Sequence, residues 1–193
     1  METGSPYKGY KCLRLTYVDD KFSLVSPYRR DVWHGIPPRL IAKVSPSCHY
    51  SSAPTYHSAP DQLCSCGVYI GKGLAWTLDQ TSPTAMTAYL YCCVEGSGVV
   101  VEAENGARVQ HATVNLIVPR PCGFCGDLAV GIVWAEDYNG NWLNILCEKC
   151  LGRRPNLKVY SLEMVAMGFG IAIDWDSWDS VKILFEKYRD PYE

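Results

Sequence analysis

Two Cys-x-x-Cys pairs constrain this chain more than any other feature. Cys122-Gly-Phe-Cys125 and Cys147-Glu-Lys-Cys150 are separated by residues 126–146, a stretch of 21. A pair at this spacing in a tight turn aims both sulfurs at one point, and two such turns supply the tetrahedral four-sulfur set that zinc prefers. Gly126, directly after the first pair, allows the backbone twist that such a turn needs. The N-terminal residues contain no apolar segment of the secretory kind. In a reducing cytosol, cysteines paired this closely read as metal ligands rather than disulfides. A redox dithiol would want a thioredoxin-like βαβ context, which the pattern lacks. Four thiolates also leave a metal no open position, so its role would be structural.

The residues between the pairs fit the same picture. Leu128 to Trp134 and Trp142 to Leu146 read as strands around the turn Tyr138-Asn-Gly-Asn141. A hairpin of this kind brings the two turns together. Residues 119–154 as a whole resemble a zinc ribbon.

A second constellation lies upstream. Cys48, His57, Cys64 and Cys66 sit within or just after a segment, 35–62, that carries Pro37, Pro38, Pro46, Pro54 and Pro60. Prolines at this density exclude regular helix and central strand. A loop so poor in apolar residues needs an external tether, and a zinc ion on these four residues would provide one. His49 is the rival to His57 as the imidazole ligand. Two zinc ions per chain are the expectation. Cys12, Cys92 and Cys93 fall in apolar runs and read as small buried hydrophobes.

The run His57-Ser-Ala-Pro60-Asp-Gln-Leu-Cys64-Ser-Cys66-Gly67-Val68-Tyr69 resembles a motif of small zinc-binding proteins from high-GC Gram-positive bacteria and their phages. There the motif runs His-x-x-Pro-x-x-x-Cys-x-Cys-Gly-Ile-Tyr. Trp33 and Cys48 match elements that precede it. Gly98-Val-Val100 and Gly106-Ala-Arg108-Val-Gln-His-Ala112 match elements that follow. The likeness covers residues 10 to about 118 and bears on fold and metal more than on activity.

Elsewhere the periodicity favours strands. Tyr10 to Val18 alternates, Asp19-Asp20-Lys21 marks a turn, and Phe22 to Val25 follows. Gly67 to Leu78 reads as strand or turn and strand, and Thr84 to Val94 as a short helix or strand. Val99 to Ala103, a turn at Asn105-Gly106, and Arg108 to Val118 form the clearest hairpin signal. The period changes near the C-terminus. Leu162 to Met167 reads as a helix, and Trp178 to Tyr188 as a last helix capped by Asp176 or Ser177. The expected fold is α+β: a mainly antiparallel β barrel or sheet, PUA-like in outline, with an inserted ribbon and two C-terminal helices. Three segments follow: a β-rich domain at 1–118, the ribbon at 119–154, and a helical segment at 155–193 packing on the core.

Function is less constrained. A net charge of −2 with a pI near 6.1 argues against a dedicated nucleic-acid binder, whose affinity comes largely from neutralising phosphates. No stretch reaches the length of a membrane span. Gly71-Lys72-Gly73 lacks the spacing of a phosphate loop. His34 and His111 stand alone, and Asp174, Asp176 and Asp179 suit helix N-termini. With no catalytic set, the favoured reading is a cytoplasmic, non-enzymatic, zinc-stabilised module that regulates by binding a protein complex, within a host cell if phage-encoded. Tyr28, Trp33, Tyr50, Tyr56, Trp175 and Trp178 are its candidate anchors. The first alternative is a DNA or RNA reader using Arg29, Arg30, Arg39, Lys43, Arg120, Arg153, Arg154 and Lys158. The second is an enzyme in which the upstream metal keeps an open position.

Overall fold

The computed structural model describes residues 6–27, 31–42, 59–61, 65–81, 89–137, 140–153 and 157–188. In chain order the elements are β1 (Tyr7–Val18), β2 (Lys21–Val25), β3 (Val32–Trp33), β4 (Arg39–Ile41), β5 (Val68–Gly71), α1 (Leu74–Thr81), β6 (Tyr89–Ala103) and β7 (Gly106–Val118). Then come β8 (Gly131–Asp137), β9 (Gly140–Leu146), α2 (Glu148–Gly152), β10 (Lys158–Ser161), α3 (Leu162–Gly168), β11 (Ala172–Ile173) and α4 (Trp178–Tyr188). The fold is α+β with mostly antiparallel strands, as the sequence indicates: one large sheet, one small sheet, and two helices in the C-terminal segment.

The large sheet closes on itself. Strand β6 pairs with β1 and β7, while β5 pairs with β7 and touches β1 at Tyr10–Gly71. Hairpin β1–β2 turns at Asp19 and Asp20, whose φ values of 50° and 58° give the two-residue turn that matches strand twist. The β6–β7 hairpin turns at Glu104-Asn105, one residue earlier than its Asn-Gly signal suggests. Gly106 is instead the first residue of β7 and lies against the backbone of β5. A Cβ there would run into the Ile70 carbonyl oxygen, and one at Gly9 into that of Gly71. Glycine at these two positions is what lets β5 close the ring.

Alternation along β1 and β6 divides their side chains between two cores. Leu13, Leu15, Leu90, Cys92 and Val94 point inward with Ile70, Val109 and Val114. Cys12 and Tyr91 point outward, where they pack with Leu74 and Leu78 of α1 and Val181 and Phe185 of α4. Each side chain so buried contributes about 1.5–3 kcal/mol. Tyr91 and Phe185 meet edge to face with centroids 5.3 Å apart. The small sheet, ordered β10–β8–β9, turns Ile132, Leu143 and Ile145 toward the main core.

Several elements differ from the sequence reading. The region 74–81 is helix, not strand, because Leu74 and Leu78 stack one turn apart on the outer core. Residues 89–103 make one continuous strand rather than two elements. The proline-rich segment holds β4, three residues long, and β3, two residues long, lies just before it, with Pro37 and Pro38 in the connection between them. Strands β10 and β11 and helix α2 were not expected. The last helix begins at Trp178 as expected, after a 3-10 turn at Trp175–Ser177 in which Ser177 Oγ donates to the Asp174 carbonyl at 2.9 Å.

Candidate metal centre

The first knuckle begins where β7 ends. Pro119-Arg120-Pro121 stops the strand, and a bridge from Pro121 to Leu128 opens a tight loop. Inside it, the Cys122 amide donates to the Asp127 carbonyl at 2.7 Å, and the Gly126 amide donates back to the Cys122 carbonyl at 3.1 Å. Gly126 has φ +82°, a left-handed conformation that explains glycine after the second cysteine. The second knuckle is a helical turn. Cys147 is extended and stands just ahead of α2, Cys150 lies within it, and the Leu151 amide donates to the Cys147 carbonyl at 3.0 Å.

Hairpin β8–β9 joins the two turns in the register Gly131–Leu146 to Asp137–Gly140. The four Sγ atoms of Cys122, Cys125, Cys147 and Cys150 all lie within 4.8 Å of one another. Cys125 and Cys147 are 3.3 Å apart, and Cys150 and Cys125 are 3.7 Å apart. A tetrahedron with zinc–sulfur bonds of about 2.3 Å has sulfur–sulfur edges of about 3.8 Å. The observed spacing fits that set, so this cluster can bind a metal ion. Three of the four sulfur residues are buried and Cys125 is exposed.

The electrostatics point the same way. Burial pushes the Cys122 thiol up, but the backbone N–H groups of Cys147, Phe124 and Cys125 outweigh it and bring the group down to about 7. At Cys125 the Asp127 amide lowers the value, yet burial and the neighbouring sulfurs of Cys147, Cys150 and Cys122 carry it up to about 12. Burial raises Cys150 as well. Four sulfurs this close cannot all carry negative charge on their own. A divalent cation relieves that conflict and draws the thiolates together.

Behind the sulfurs is a small apolar layer of Val133 and Leu146, with Leu151 and Leu157 partly buried against it. Among the described residues this is the one cluster of at least three metal-ligating side chains.

Of the upstream set, Cys48, His57 and Cys64 lie outside the described residues, as does His49. Cys66 is fully buried, and its sulfur is in a disulfide. The tether that sequence reasoning missed is Arg108 on β7. Its Nη1 donates to the carbonyls of Asp61 and Cys66, each at 3.0 Å. The Gly-x-Arg pattern contained the residue but not its role, because the partner is more than 40 positions away.

Other candidates sort by burial. Cys12 and Cys92 are buried and Cys93 is half-buried, as expected. Trp33 is not an exposed anchor: it is 4% exposed and its Nε1 donates to Ser26 Oγ. Trp175 and Trp178 are half-buried, and Tyr28, Tyr50 and Tyr56 lie outside the described residues. Arg120 is likewise no part of a basic surface, being buried to 5% exposure. Lys158 is engaged by Tyr17 at 3.0 Å and Asp20 at 3.5 Å. Arg39 and Arg153 are exposed, while Arg29, Arg30, Lys43 and Arg154 lie outside the described residues. Asp176 and Asp179 fall in first turns of helical segments. No helix among the described residues is long and apolar enough to cross a membrane.

No protein-family model matches the chain, and neither the curated proteins nor the solved structures include a significant match to it.

Proposed function

We propose that the chain is a non-enzymatic interaction module whose ribbon is held by one structural zinc ion on Cys122, Cys125, Cys147 and Cys150. The observation that carries this is the convergence of four sulfurs within 4.8 Å from two separate turns. Zinc would offset half of the charge of the four thiolates and lock both knuckles without offering a site for catalysis. Phe124, between the first two ligands, is 50% exposed. An aromatic ring held outward by a rigid turn is suited to anchoring a protein partner. The partner would be a protein complex that the module regulates in the cytoplasm. The resemblance of residues 57–69 supports a bacterial or phage setting.

Among the described residues, the nucleic-acid reading loses Arg120, which is buried, and Lys158 is engaged by Tyr17 and Asp20. A second zinc on Cys48, His57, Cys64 and Cys66 requires Cys66 as a free thiolate, because a disulfide sulfur is not a zinc ligand of this kind.

Native mass spectrometry of never-chelated protein tests the metal. One zinc per chain is expected, and cobalt substitution should give a four-thiolate tetrahedral spectrum. A folded chain without metal refutes the proposal, and two ions per chain establish the upstream site. For the interaction, a saturable partner captured by the chain and lost on Phe124→Ser supports the module. Unchanged capture by that variant removes Phe124 as its anchor.

A further inference from the structure

The four cysteines of the candidate metal centre differ in what can reach them. Cys122, Cys147 and Cys150 are 4%, 3% and 7% exposed, whereas Cys125 is exposed to solvent. Among the described residues it is the one exposed free cysteine, since Cys12 and Cys92 are buried and Cys93 is half-buried. Phe124 and Asp127 beside it are exposed as well, so this side of the first knuckle faces water. Oxidation of a thiolate follows access, and an oxidant in solution meets the sulfur that solvent reaches.

A redox-sensitive thiol also needs a second sulfur poised to resolve it. Cys147 Sγ lies 3.3 Å from Cys125 Sγ, and Cys150 Sγ lies 3.7 Å from it. Reacting atoms about 3–3.5 Å apart are in position to react, which favours Cys147. Closing 3.3 Å to a disulfide of about 2.05 Å takes a shift of about 1.3 Å. The first knuckle can supply it, because residues 123–127 lie outside any helix or strand, while Cys147 is fixed at the start of α2. Cys147 is itself too buried to be the sulfur that is oxidised first.

We propose that Cys125 is an oxidation site at which a hydroperoxide opens the metal centre, with Cys147 as the resolving sulfur. This rests on the reading of the four cysteines as a zinc site. The Cys125 thiolate attacks an oxygen of the hydroperoxide and the O–O bond breaks. Cys125 becomes a sulfenic acid, and the remainder of the oxidant leaves as hydroxide or alkoxide and takes a proton from solvent. The Cys147 thiolate then attacks the Cys125 sulfur, forms the S–S bond and expels hydroxide, which is protonated to water. Two thiolates lose two electrons, the hydroperoxide gains them, and zinc stays divalent. Two of four ligands are lost, and the ion dissociates. The bridge joins the two knuckles rather than the cysteines of one pair. Metal retention thus depends on oxidant, and with it the turn that holds Phe124 outward.

The test treats the zinc-loaded full chain with equimolar hydrogen peroxide. Released zinc is read with a chromophoric chelator, and sulfenic acid is trapped with dimedone. In a parallel sample without the trap, the cross-link is located by peptide mass mapping. The expected result is dimedone on Cys125, zinc release in step with a Cys125–Cys147 disulfide, and renewed uptake after reduction. Cys125→Ser should slow release by about tenfold or more, because the sulfurs left at the site are buried. Zinc retained under peroxide overturns the inference. So does a first label on Cys122, Cys147 or Cys150, a bridge other than Cys125–Cys147, or release from Cys125→Ser at the wild-type rate.

Should Cys125→Ser not hold zinc, the trap and the mass map on the unmodified chain still decide. A never-chelated chain that carries no zinc fails the metal reading, and this inference falls with it. A zinc-loaded chain indifferent to peroxide refutes this inference alone.

Discussion

Metal uptake by this chain should be strongly coupled to pH, with a size that follows from the state of the four sulfurs. Zinc binds thiolates, so every thiol still protonated in the metal-free cluster must lose its proton on binding. Against the lowering by the Asp127 amide, burial and the neighbouring sulfurs carry Cys125 up to about 12, and burial raises Cys150 above the ordinary thiol value. Both are protonated near neutral pH, so at least two protons leave. Cys122, at about 7, adds a further fraction that grows as pH falls. Each displaced proton changes the apparent affinity tenfold per pH unit. Affinity should therefore rise at least about 100-fold from pH 7 to pH 8 and fall more steeply below pH 7. The sign is fixed: acid releases the metal and base retains it. Competition titrations at several pH values, corrected for the chelator's own protonation, give the slope. Proton release into a weakly buffered solution with a pH dye gives the count independently. A slope of one or less, or release of fewer than two protons, would refute the argument that the sulfurs crowd one another into the neutral form.

Other consequences concern stability. Phe185→Ala should cost about 3–5 kcal/mol in denaturant unfolding, because the ring fills the layer between α4 and Tyr91; a loss below 1 kcal/mol would mean that α4 does not pack there. Gly106→Ala should destabilise the chain by about 1–3 kcal/mol, since its methyl group meets the Ile70 carbonyl; an unchanged melting temperature would mean that β5 and β7 do not approach so closely. Arg108→Met removes two charge-assisted bonds to the carbonyls of Asp61 and Cys66, and a loss of about 1.5–3 kcal/mol is expected in thermal unfolding. Chelation should act locally: amide exchange should accelerate at Gly126 and Leu151 while Ile132 and Ile145 stay protected, and simultaneous loss at all four would show that the metal holds the whole small sheet.

The four-cysteine cluster was legible in the sequence because its geometry is local. Each Cys-x-x-Cys pair closes within four residues, and a glycine marks the twist of the first. Hairpins β1–β2 and β6–β7 were legible for the same reason: alternation and turn residues lie next to each other. Failures came where a distant partner decides. Strand β11 is only Ala172–Ile173, and it exists because β7 offers a free edge at Leu116 and Ile117. Helix α1 follows from Leu74 and Leu78 meeting α4, more than 100 positions away. Arg120 looked like surface charge beside two prolines, and only the folded chain reveals that it is buried.

The small sheet shows why a metal ion would suit the two knuckles. One face, with Ile132, Leu143 and Ile145, lies on the main core and needs no help. The other face carries Val133 and Leu146, and little apolar area covers them besides Leu151, Leu157 and the cysteines themselves. Burying two such side chains contributes about 3–6 kcal/mol, whereas ordering each backbone residue of the two knuckles costs about 1–2 kcal/mol. Burial alone cannot fix two loops of this length. A bound ion can, because its free energy enters as folding free energy. A metal ion on Cys122, Cys125, Cys147 and Cys150 would act on the face that the main apolar core does not reach.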